Sequence, residues 1–396
     1  MLNLSKINKY LLLVWIIILS GVWSISVPPL LTIVLNFTLS IYMLIKLCSI
    51  KEKRGTPIII LFVILLSFTF FLNCDFSSWM SYAFIICFCI MGLYISAFWK
   101  EGEFLDKYSN IMTIIVVISL IMYCFRSFLA THQTGFPIIQ GQAVSYTNYF
   151  MYLYCRELPD RNCAIFWEPG AFAVFIGIAL FYILVTNKKN KLIRIFLFVI
   201  ALLTTQSTLA YTIILFAILM SLTMHTDKGG FLQKMVIGIL STFIVLIIMN
   251  EFGIFQNIQE KLFTGIQTNA SSRARNVAQM IDLFIATKSP VVGVGFNGYF
   301  EQVHSIGTLF GQKWTMAANT FTFMAAIFGI PYVLISVNGI IKIYPKNTNV
   351  MFKLVSSCFW IWLFVTQNFV QKPIFYCLIF LGYMASAFEK EVNINE

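Results

Sequence analysis

An arginine and a glutamate stand seven residues apart, immediately before a long apolar segment. Residues 161–170 read RNCAIFWEPG, so Arg161 and Glu168 flank a short hydrophobic stretch. Ionisable side chains at a membrane boundary are costly to desolvate, and they usually mark a functional site. If a pocket beneath the preceding loop raises the pKa of Glu168, its carboxylate can accept a proton from a substrate.

The same stretch also has a purely structural interpretation. Proline is preferred at the first position of a helix, and an acidic residue is favourable near the positive end of the helix dipole. Glu168 followed by Pro169 and Gly170 therefore predicts the start of a helix. The two interpretations are compatible, because a carboxylate at a helix start can also face a substrate.

A second basic segment lies at residues 271–285, which read SSRARNVAQMIDLFI. Apolar residues at 277, 280, 281, 284 and 285 fit one face of a helix, and a serine at its start could cap it. This spacing predicts an amphipathic helix that lies on the membrane surface. Arg273 and Arg275 either form a solvated basic cap or hold a pyrophosphate. Residues that are two positions apart do not share a face of a helix. We therefore expect one of these arginines to bind substrate and the other to be structural.

The next candidates follow that helix. Residues 289–299 read SPVVGVGFNGY, which superficially fits the dinucleotide pattern G-x-G-x-x-G. That pattern requires a preceding strand and a following helix, and we expect neither in an external loop. A tight turn with close backbone approach is predicted in its place. His304 is either an exposed polar residue or a second candidate acid or base.

Cysteines give no sign of a metal site, because none of the nine follows a ligand spacing such as C-x-x-C. We therefore predict no cysteine-ligated metal site. Cys155 and Cys163 flank the first arginine-bearing segment, and they could form a disulfide in an oxidising compartment. The sequence does not show whether their Cβ atoms meet, so the pairing stays open.

Composition assigns the class of protein. The chain has 396 residues, of which 59% are hydrophobic and 11% charged, whereas a soluble domain has roughly 25% charged residues. We therefore predict an all-α polytopic membrane protein that forms a single integral membrane domain over residues 1–396. The net charge of +11 is explained by membrane topology and not by nucleic-acid binding, because lysine and arginine collect in cytoplasmic loops.

About 20 mostly apolar residues are needed to span a bilayer, and hydropathy predicts twelve such spans. They lie near residues 10–26, 28–48, 57–73, 79–99, 109–129, 166–186, 191–204, 208–224, 231–250, 317–340, 351–367 and 373–388. The resulting loops on the side of the N-terminus hold 18 of the 27 lysines and arginines. The positive-inside rule then predicts that both termini are cytoplasmic.

Two long loops are predicted on the opposite side, at residues 130–165 and 251–316. Arginine is prominent there, and its planar guanidinium suits phosphate and carboxylate recognition better than an ammonium does. Arg156 therefore joins the pyrophosphate-binding candidates. Gln206, between two short spans, and Asn319, at the start of the next one, are assigned to acceptor binding or to structure.

The order of these motifs resembles the O-antigen polymerase and ligase superfamily over about residues 110–390. The likeness consists of the R-x(6)-E-P-G segment that opens a mid-chain helix, the later stretch SPVVGVGF, and residues 319–321 (NTF) leading into 327–331 (IFGIP). The resemblance implies a GT-C-like fold in the bacterial inner membrane. It also implies metal-independent glycosyl transfer at the periplasmic face from an undecaprenyl-pyrophosphate-linked oligosaccharide, with membrane lipids and a chain-length regulator protein as partners.

Within that superfamily the acceptor decides the activity. A polymerase extends another lipid-linked repeat unit, whereas a ligase transfers glycan to lipid A core. Ligases tend to carry a His-Asn pair at the start of the span after the large loop, and here Ala318 precedes Asn319, which favours a polymerase. The base stays open between Glu168 and His304. A flippase for the same lipid-linked glycan is the alternative of another class, although we find no internal repeat of the kind that transporters tend to show.

Overall fold

The structure is a computed structural model that describes residues 4–21, 28–49, 56–100, 102–140, 144–186, 190–224, 270–309, 319–345 and 348–384. Within these ranges the chain is mostly helical, and most helices are apolar. Three segments are long and apolar enough to cross a membrane, namely Pro29–Cys48, Phe76–Phe98 and Glu103–Cys124. Several shorter apolar helices accompany them. The fold is thus compatible with an all-α membrane protein, as composition predicted.

Helices in the described ranges overlap the predicted spans. They are α1 (Leu4–Ser20), α2 (Pro29–Cys48), α3 (Thr56–Leu72), α4 (Trp79–Phe98), α5 (Glu103–Cys124), α6 (Arg126–Thr131), α7 (Pro169–Val185), α8 (Lys191–Thr205), α9 (Thr208–Met224), α10 (Ala270–Lys288), α11 (Gly295–Leu309), α12 (Thr320–Phe328), α13 (Ile330–Ile340), α14 (Val350–Val365) and α15 (Pro373–Met384). Of these helices, α1 and α5 each begin six residues before the predicted position. The predicted span at 231–250 lies outside the described residues.

Helix α7 is the centre of the bundle. Each of its 17 residues is buried, and it packs against α5, α8, α9 and α14. A helix that is apolar on all sides is stable only when neighbours surround it, in a protein core or in a membrane. The position of α7 fixes the site, because Glu168 immediately precedes this buried helix.

The connections divide the bundle into two ends. We use the term loop end for the end that carries residues 125–168, where α3, α5, α8 and α14 finish and α4, α7, α9, α12 and α15 begin. At the opposite end, Lys9 pairs with Glu103 at 2.5 Å and Asn349 donates to the Thr223 carbonyl at 2.7 Å. The candidate site residues that the structure describes lie on the elements of the loop end.

A small β-sheet lies in the first long loop, and the sequence interpretation missed it. Strands β1 (Ile138–Gln140), β2 (Ser145–Asn148) and β3 (Leu153–Cys155) form an antiparallel sheet in the order β1-β2-β3. The strands have three or four residues each, too few for the alternation of polar and apolar residues to be distinctive. The all-α prediction therefore needs this correction at the loop end.

The predicted span 317–340 is divided at Gly329 into α12 and α13. Gly329 has a φ of +85°, and a Cβ there would lie 2.2 Å from the Val291 carbonyl oxygen. Gly293, with a φ of +74°, faces it, because a Cβ at this position would lie 2.1 Å from the Ile327 carbonyl oxygen. The two glycines let two backbone segments touch, which confirms the predicted tight turn with close backbone approach.

One reason for rejecting the dinucleotide pattern was wrong. A helix does follow the glycine-rich turn, since α11 begins at Gly295. The element before the turn is the helix α10 and not a strand, so the βαβ context that the pattern requires is missing there. Asp75 accepts hydrogen bonds from the backbone N–H groups of Phe296 (2.6 Å) and Asn297 (3.0 Å), and this buried carboxylate therefore caps the start of α11.

Candidate functional site

Glu168 lies at the boundary between the first long loop and α7. Its backbone is extended (φ −162°), Pro169 is the first helical residue, and the Glu168 side chain makes no capping hydrogen bond. The predicted helix start is thus confirmed, but the carboxylate does not serve the helix. It points instead to a basic residue of a distant segment.

The partner of Glu168 is Arg275 in the second turn of α10. Arg275 Nη2 lies 3.0 Å from Glu168 Oε2 and 3.2 Å from Oε1, so one nitrogen donates to both carboxylate oxygens. The side chains are 46% and 29% exposed, respectively. An ion pair that solvent reaches on one side contributes little to stability, and an anionic ligand can compete for Arg275.

Arg161 lies beside this pair. Its Nε donates to the Thr205 carbonyl oxygen at 3.1 Å, where α8 ends. Burial lowers the pKa of the Arg161 guanidinium, Glu168 opposes this shift, and Arg275 adds to it. An arginine keeps its proton in a protein despite such shifts. No carboxylate lies within 4.0 Å of Arg161 in the described part of the chain, so no ion pair neutralises this half-buried cation there.

The backbone around Arg161 is held by the same helix end. Asn162 N–H donates to the Thr204 carbonyl oxygen at 3.0 Å, and the Asn162 side-chain amide reaches the hydroxyls of Thr204 (3.1 Å) and Ser119 (3.3 Å). Gln206 follows in the left-handed region (φ +48°) and separates α8 from α9. The structure gives Gln206 this helix-breaking role, and with it the Thr205 carbonyl is directed towards Arg161.

Other polar groups border the site. A Cβ at Gly170 would lie 2.7 Å from Gln367 Nε2, 3.4 Å from Glu168 Oε1 and 3.6 Å from Ser207 Oγ. The absence of a side chain at Gly170 therefore lets the Gln367 amide approach the backbone close to the Glu168 carboxylate and the Ser207 hydroxyl. On α9, the Tyr211 hydroxyl interacts electrostatically with Arg161 but has no hydrogen-bond partner among the described residues, although Tyr211 is only 4% exposed. A buried polar group without a partner is rare and needs an explanation.

Tyr146 connects the sheet to the site. Its buried hydroxyl donates to the Trp167 carbonyl oxygen, one residue before Glu168. Burial raises the pKa of this phenol, and the neighbouring thiols and carboxylates, Glu168 among them, raise it further. Tyr146 thus stays protonated and remains a hydrogen-bond donor, so strand β2 fixes the backbone that carries Glu168.

Helix α10 is anchored below Arg275 by a buried carboxylate. Asp282 is fully buried and accepts hydrogen bonds from the hydroxyls of Tyr299 (2.6 Å) on α11 and Thr322 (2.8 Å) on α12. Burial raises the pKa of Asp282 to about 6, although both hydroxyls oppose the shift. The predicted apolar stripe on α10 is divided: Ile281 and Ile285 are buried, whereas Met280 and Phe284 are exposed.

The remaining predicted site residues lie elsewhere. Arg156 is exposed and donates to the Thr147 hydroxyl at 3.1 Å on the sheet. Arg273 belongs to α10, but its side chain lies outside the described residues. His304 is exposed on α11, and no contact with Glu168 is found in the part of the chain that the structure describes. Asn319 is buried and caps α12 by accepting from the backbone N–H groups of Phe321 and Thr322, so its described role is structural.

Both cysteines of the first loop are buried free thiols. Cys163 Sγ lies 3.1 Å from the Leu153 carbonyl oxygen, and Cys155 Sγ lies 3.8 Å from Glu157 Oε2. Burial raises the pKa of each thiol, and each contributes to the hydrophobic cluster under the sheet. Reactive cysteines require a lowered pKa, so these two are packing residues in this state.

The site therefore presents two arginines, one carboxylate and several neutral donors at the loop end of an apolar helical bundle. Among the described residues, no group of three or more His, Cys, Asp or Glu side chains is arranged to hold a metal ion. Comparisons with protein families, with curated proteins and with solved structures find no match for this chain. The chemistry of the site is thus the basis on which a function can be assigned.

Proposed function

We propose that the protein is a metal-independent glycosyltransferase of the O-antigen polymerase type. It would join repeat units carried on undecaprenyl pyrophosphate. The observation that carries the proposal is the convergence of Arg161, Glu168 and Arg275, which come from two distant segments of the chain and meet before a buried helix. Two cations and a single carboxylate form a site with an excess of positive charge, which favours an anionic ligand.

The proposed reaction transfers a glycan from its pyrophosphate carrier to a sugar hydroxyl. The acceptor oxygen attacks the anomeric carbon, the bond from that carbon to the pyrophosphate oxygen breaks, and the pyrophosphate leaves on its lipid. Attack opposite the leaving group inverts the anomeric centre. Negative charge grows on the leaving oxygens, and preorganised cations in a water-poor site stabilise it most effectively. Arg161 and Arg275 supply these cations in the proposal.

Glu168 is the proposed base, which takes the proton of the acceptor hydroxyl. In the resting state both its oxygens accept from Arg275. A pyrophosphate that attracts Arg275 would loosen this pair and release the carboxylate towards the acceptor. Donor binding would then activate the base. While no donor is bound, the ion pair with Arg275 would prevent the Glu168 carboxylate from deprotonating water. His304 enters this scheme only if it approaches when the ligand binds.

The proposed setting is the bacterial inner membrane, with twelve spans and both termini in the cytoplasm. Apolar helices long enough to cross a bilayer support a membrane location. The loop end, with its arginines, would face the periplasm, where lipid-linked repeat units are joined. A chain-length regulator protein and the surrounding lipids are the further partners that this function would require.

A cellular assay tests the proposal. In a strain lacking the gene, we would compare surface polysaccharide after complementation with wild type, Arg161→Ala, Glu168→Gln or Arg275→Ala. Lys288→Met is the control, because this exposed lysine of α10 interacts with Phe284 and Gln302 and not with the site. Each variant must first reach the membrane at the wild-type level. We expect long chains with wild type and Lys288→Met, and single repeat units on the cell-surface core with the three site variants.

Other outcomes would assign other functions. Long chains that stay on the lipid carrier and never reach the surface core would identify a ligase. Lipid-linked units retained inside the cell would identify a flippase. Normal long chains in all three site variants would contradict the proposed site.

A further inference from the structure

Lys372 lies over the ring of Trp167, the residue before Glu168, although its position in the chain is remote from both arginine segments. It ends the turn between α14 and α15, where its N–H donates to the Phe369 carbonyl oxygen at 3.0 Å. Three hydrogen bonds connect this turn to Thr320, the first residue of α12. Its N–H (3.1 Å) and its Oγ1 (2.5 Å) both donate to the Gln367 carbonyl oxygen, and Oγ1 accepts from Phe369 N–H (2.9 Å). The backbone that carries Lys372 is therefore fixed.

The ammonium group of Lys372 faces the residue that precedes Glu168. Its Nζ lies 5.0 Å from the centroid of the Trp167 ring. The Trp167 ring in turn packs against Phe369 at 5.6 Å between centroids. The side-chain amide of Gln367, from the same turn, borders Gly170 together with the Glu168 carboxylate. One turn thus brings an ammonium and an amide to the mouth of the site.

Among the lysines that lie over aromatic rings, Lys372 shares its lack of a polar side-chain partner in the described part of the chain with Lys46, Lys342 and Lys353. It differs in this respect from three others. Lys9 and Lys107 both pair with Glu103, and Lys288 donates to Gln302 at 2.8 Å. In the part of the chain that the structure describes, Lys372 has no carboxylate within 4.0 Å and its Nζ makes no hydrogen bond. It is half-buried, and burial lowers its pKa to about 8. A desolvated ammonium whose only partner is an aromatic ring is unfavourable unless an anion also binds to it.

We propose that Lys372 is a third cation of the same site and that it binds a phosphate group of the pyrophosphate-linked ligand; this inference rests on the proposed function for the identity of that ligand. Lys372 then adds a cation, held next to Trp167, to the two arginines near Glu168, and a pyrophosphate can balance their excess charge. Arginine presents a planar set of donors, whereas lysine acts as a compact charge that suits a single phosphate oxygen. Trp167 would position Lys372 through its ring face.

Direct binding of inorganic pyrophosphate tests this inference. The full chain would be purified in a non-ionic detergent as wild type, Lys372→Met, Lys372→Arg and Lys288→Met, and titrated calorimetrically with pyrophosphate. Lys288 is a matched control, because its Nζ lies 4.9 Å from the Phe284 ring centroid at the same end of the bundle. We expect Lys372→Met to weaken binding about tenfold or more, which is the loss expected for one charge-assisted hydrogen bond. Lys372→Arg should retain most of the affinity.

Three results would overturn the inference: wild-type affinity in Lys372→Met, an equal loss in Lys288→Met, or no pyrophosphate binding by the wild type. Interaction of Lys372 with anionic phospholipid vesicles in place of pyrophosphate would assign it to lipid headgroups and would also overturn it. Thermal unfolding of each variant verifies that it is folded. If Lys372→Met lost pyrophosphate binding while the glycan in cells was unchanged, the cation site would be supported and the polymerase function would be contradicted. If Lys372→Met bound pyrophosphate normally while Arg161→Ala lost the polymer, the polymerase function would be supported and the role of Lys372 would be contradicted.

Discussion

At the scale of single residues, the proposed mechanism depends on the ion pair of Glu168 and Arg275, in which one site would bind an anion and also hold a base. The pair is partly exposed and one arginine nitrogen contacts both oxygens. An anion competes with Glu168 for the same guanidinium. In the proposed mechanism, binding of the donor and release of the base are therefore coupled by a single exchange of partners.

Glu168→Gln separates these two roles. The amide cannot accept the acceptor's proton, so we expect the rate of glycan transfer to fall by about 10²–10⁴-fold, as for the loss of a general base. Pyrophosphate binding should be retained or strengthened, because a neutral partner competes less for Arg275. Titration calorimetry and a transfer assay measure the two effects in one preparation.

The control for that experiment is Glu157→Gln. Glu157 is an exposed glutamate of the same loop that accepts hydrogen bonds from Ser145. Its substitution removes the same charge as Glu168→Gln does. If Glu168→Gln lost pyrophosphate binding and Glu157→Gln kept it, Glu168 would serve to hold Arg275 in place and the exchange of partners would be wrong.

The sequence predicts part of this site for a clear reason. Arg161, Glu168 and Arg275 are rare charges near apolar helices, and their cost in a membrane makes them conspicuous. The sequence does not show that Arg156 hydrogen-bonds to the sheet or that the Asn319 side chain caps a helix, because both interactions depend on the folded structure. In the sequence, Lys372 is only an isolated basic residue between two predicted spans. Its proposed role depends on Trp167, which lies 205 positions away in the chain.

At the scale of elements, α10 must hold Arg275 against α7, and the buried Asp282 is its anchor. The pKa of Asp282 is raised from the ordinary value of 3.8 to about 6 by burial. Between these two values the folded state binds more protons than the unfolded state, so stability falls as the pH rises through this window. The full destabilisation, about 3 kcal/mol for a shift of this size, is present above about pH 6.

Asp282→Asn should remove that pH dependence. An amide can still accept from one hydroxyl and donate to the other, so Tyr299 and Thr322 keep their hydrogen bonds. We expect the variant to melt at a higher temperature than wild type at pH 7 and to differ little from it at pH 4. Thermal unfolding in detergent at both pH values measures this, with the exposed Glu301→Gln as the control. A lower melting temperature at pH 7 in Asp282→Asn would mean that the charge itself stabilises the anchor.

The contact between Gly293 and Gly329 is the second element-scale constraint. Gly293→Ala would place a methyl group 2.1 Å from a carbonyl oxygen of α12 at a φ of +74°. We expect a loss of more than about 4 kcal/mol, the range reserved for severe local disruption. Gly135→Ala is matched in backbone conformation, with a φ of +90°, but none of the described residues has an atom within 4 Å of its Cβ. It should cost only about 1–2 kcal/mol, the penalty for a side chain in the left-handed region.

The fraction of each glycine variant that remains folded after heating in detergent measures this difference in stability. Equal survival of Gly293→Ala and Gly135→Ala would show that the crowded contact is not needed for the fold.

Elements were predictable to different degrees. Long apolar runs gave the helices, because hydropathy needs only composition over about 20 residues. The sheet at residues 138–155 escaped detection because its strands are too short to show a period of two. The division of the span 317–340 depends on Gly329, whose φ of +85° is imposed by the approach of Val291 from another segment.

At the scale of the whole molecule, the bundle has one end rich in lysine contacts and another that carries the arginine site. Lys9, Lys107, Lys191 and Arg194 lie at the first end, where Lys191 reaches the Leu184 carbonyl and Arg194 reaches Ser109 and Thr113. The positive-inside rule predicts that the first of these ends is the cytoplasmic one. A membrane enzyme with its site at the less basic end would act on substrates outside the cytoplasm.

The most direct test of the central claim is transfer by the purified protein in lipid vesicles. Repeat units linked to undecaprenyl pyrophosphate would be supplied as both donor and acceptor, and the glycan ladder and the released carrier would be measured together. We predict that wild type and Lys288→Met form the ladder with one carrier released per linkage, and that Arg161→Ala, Arg275→Ala and Glu168→Gln form little of either. A ladder of normal length and rate from all three site variants would contradict the account.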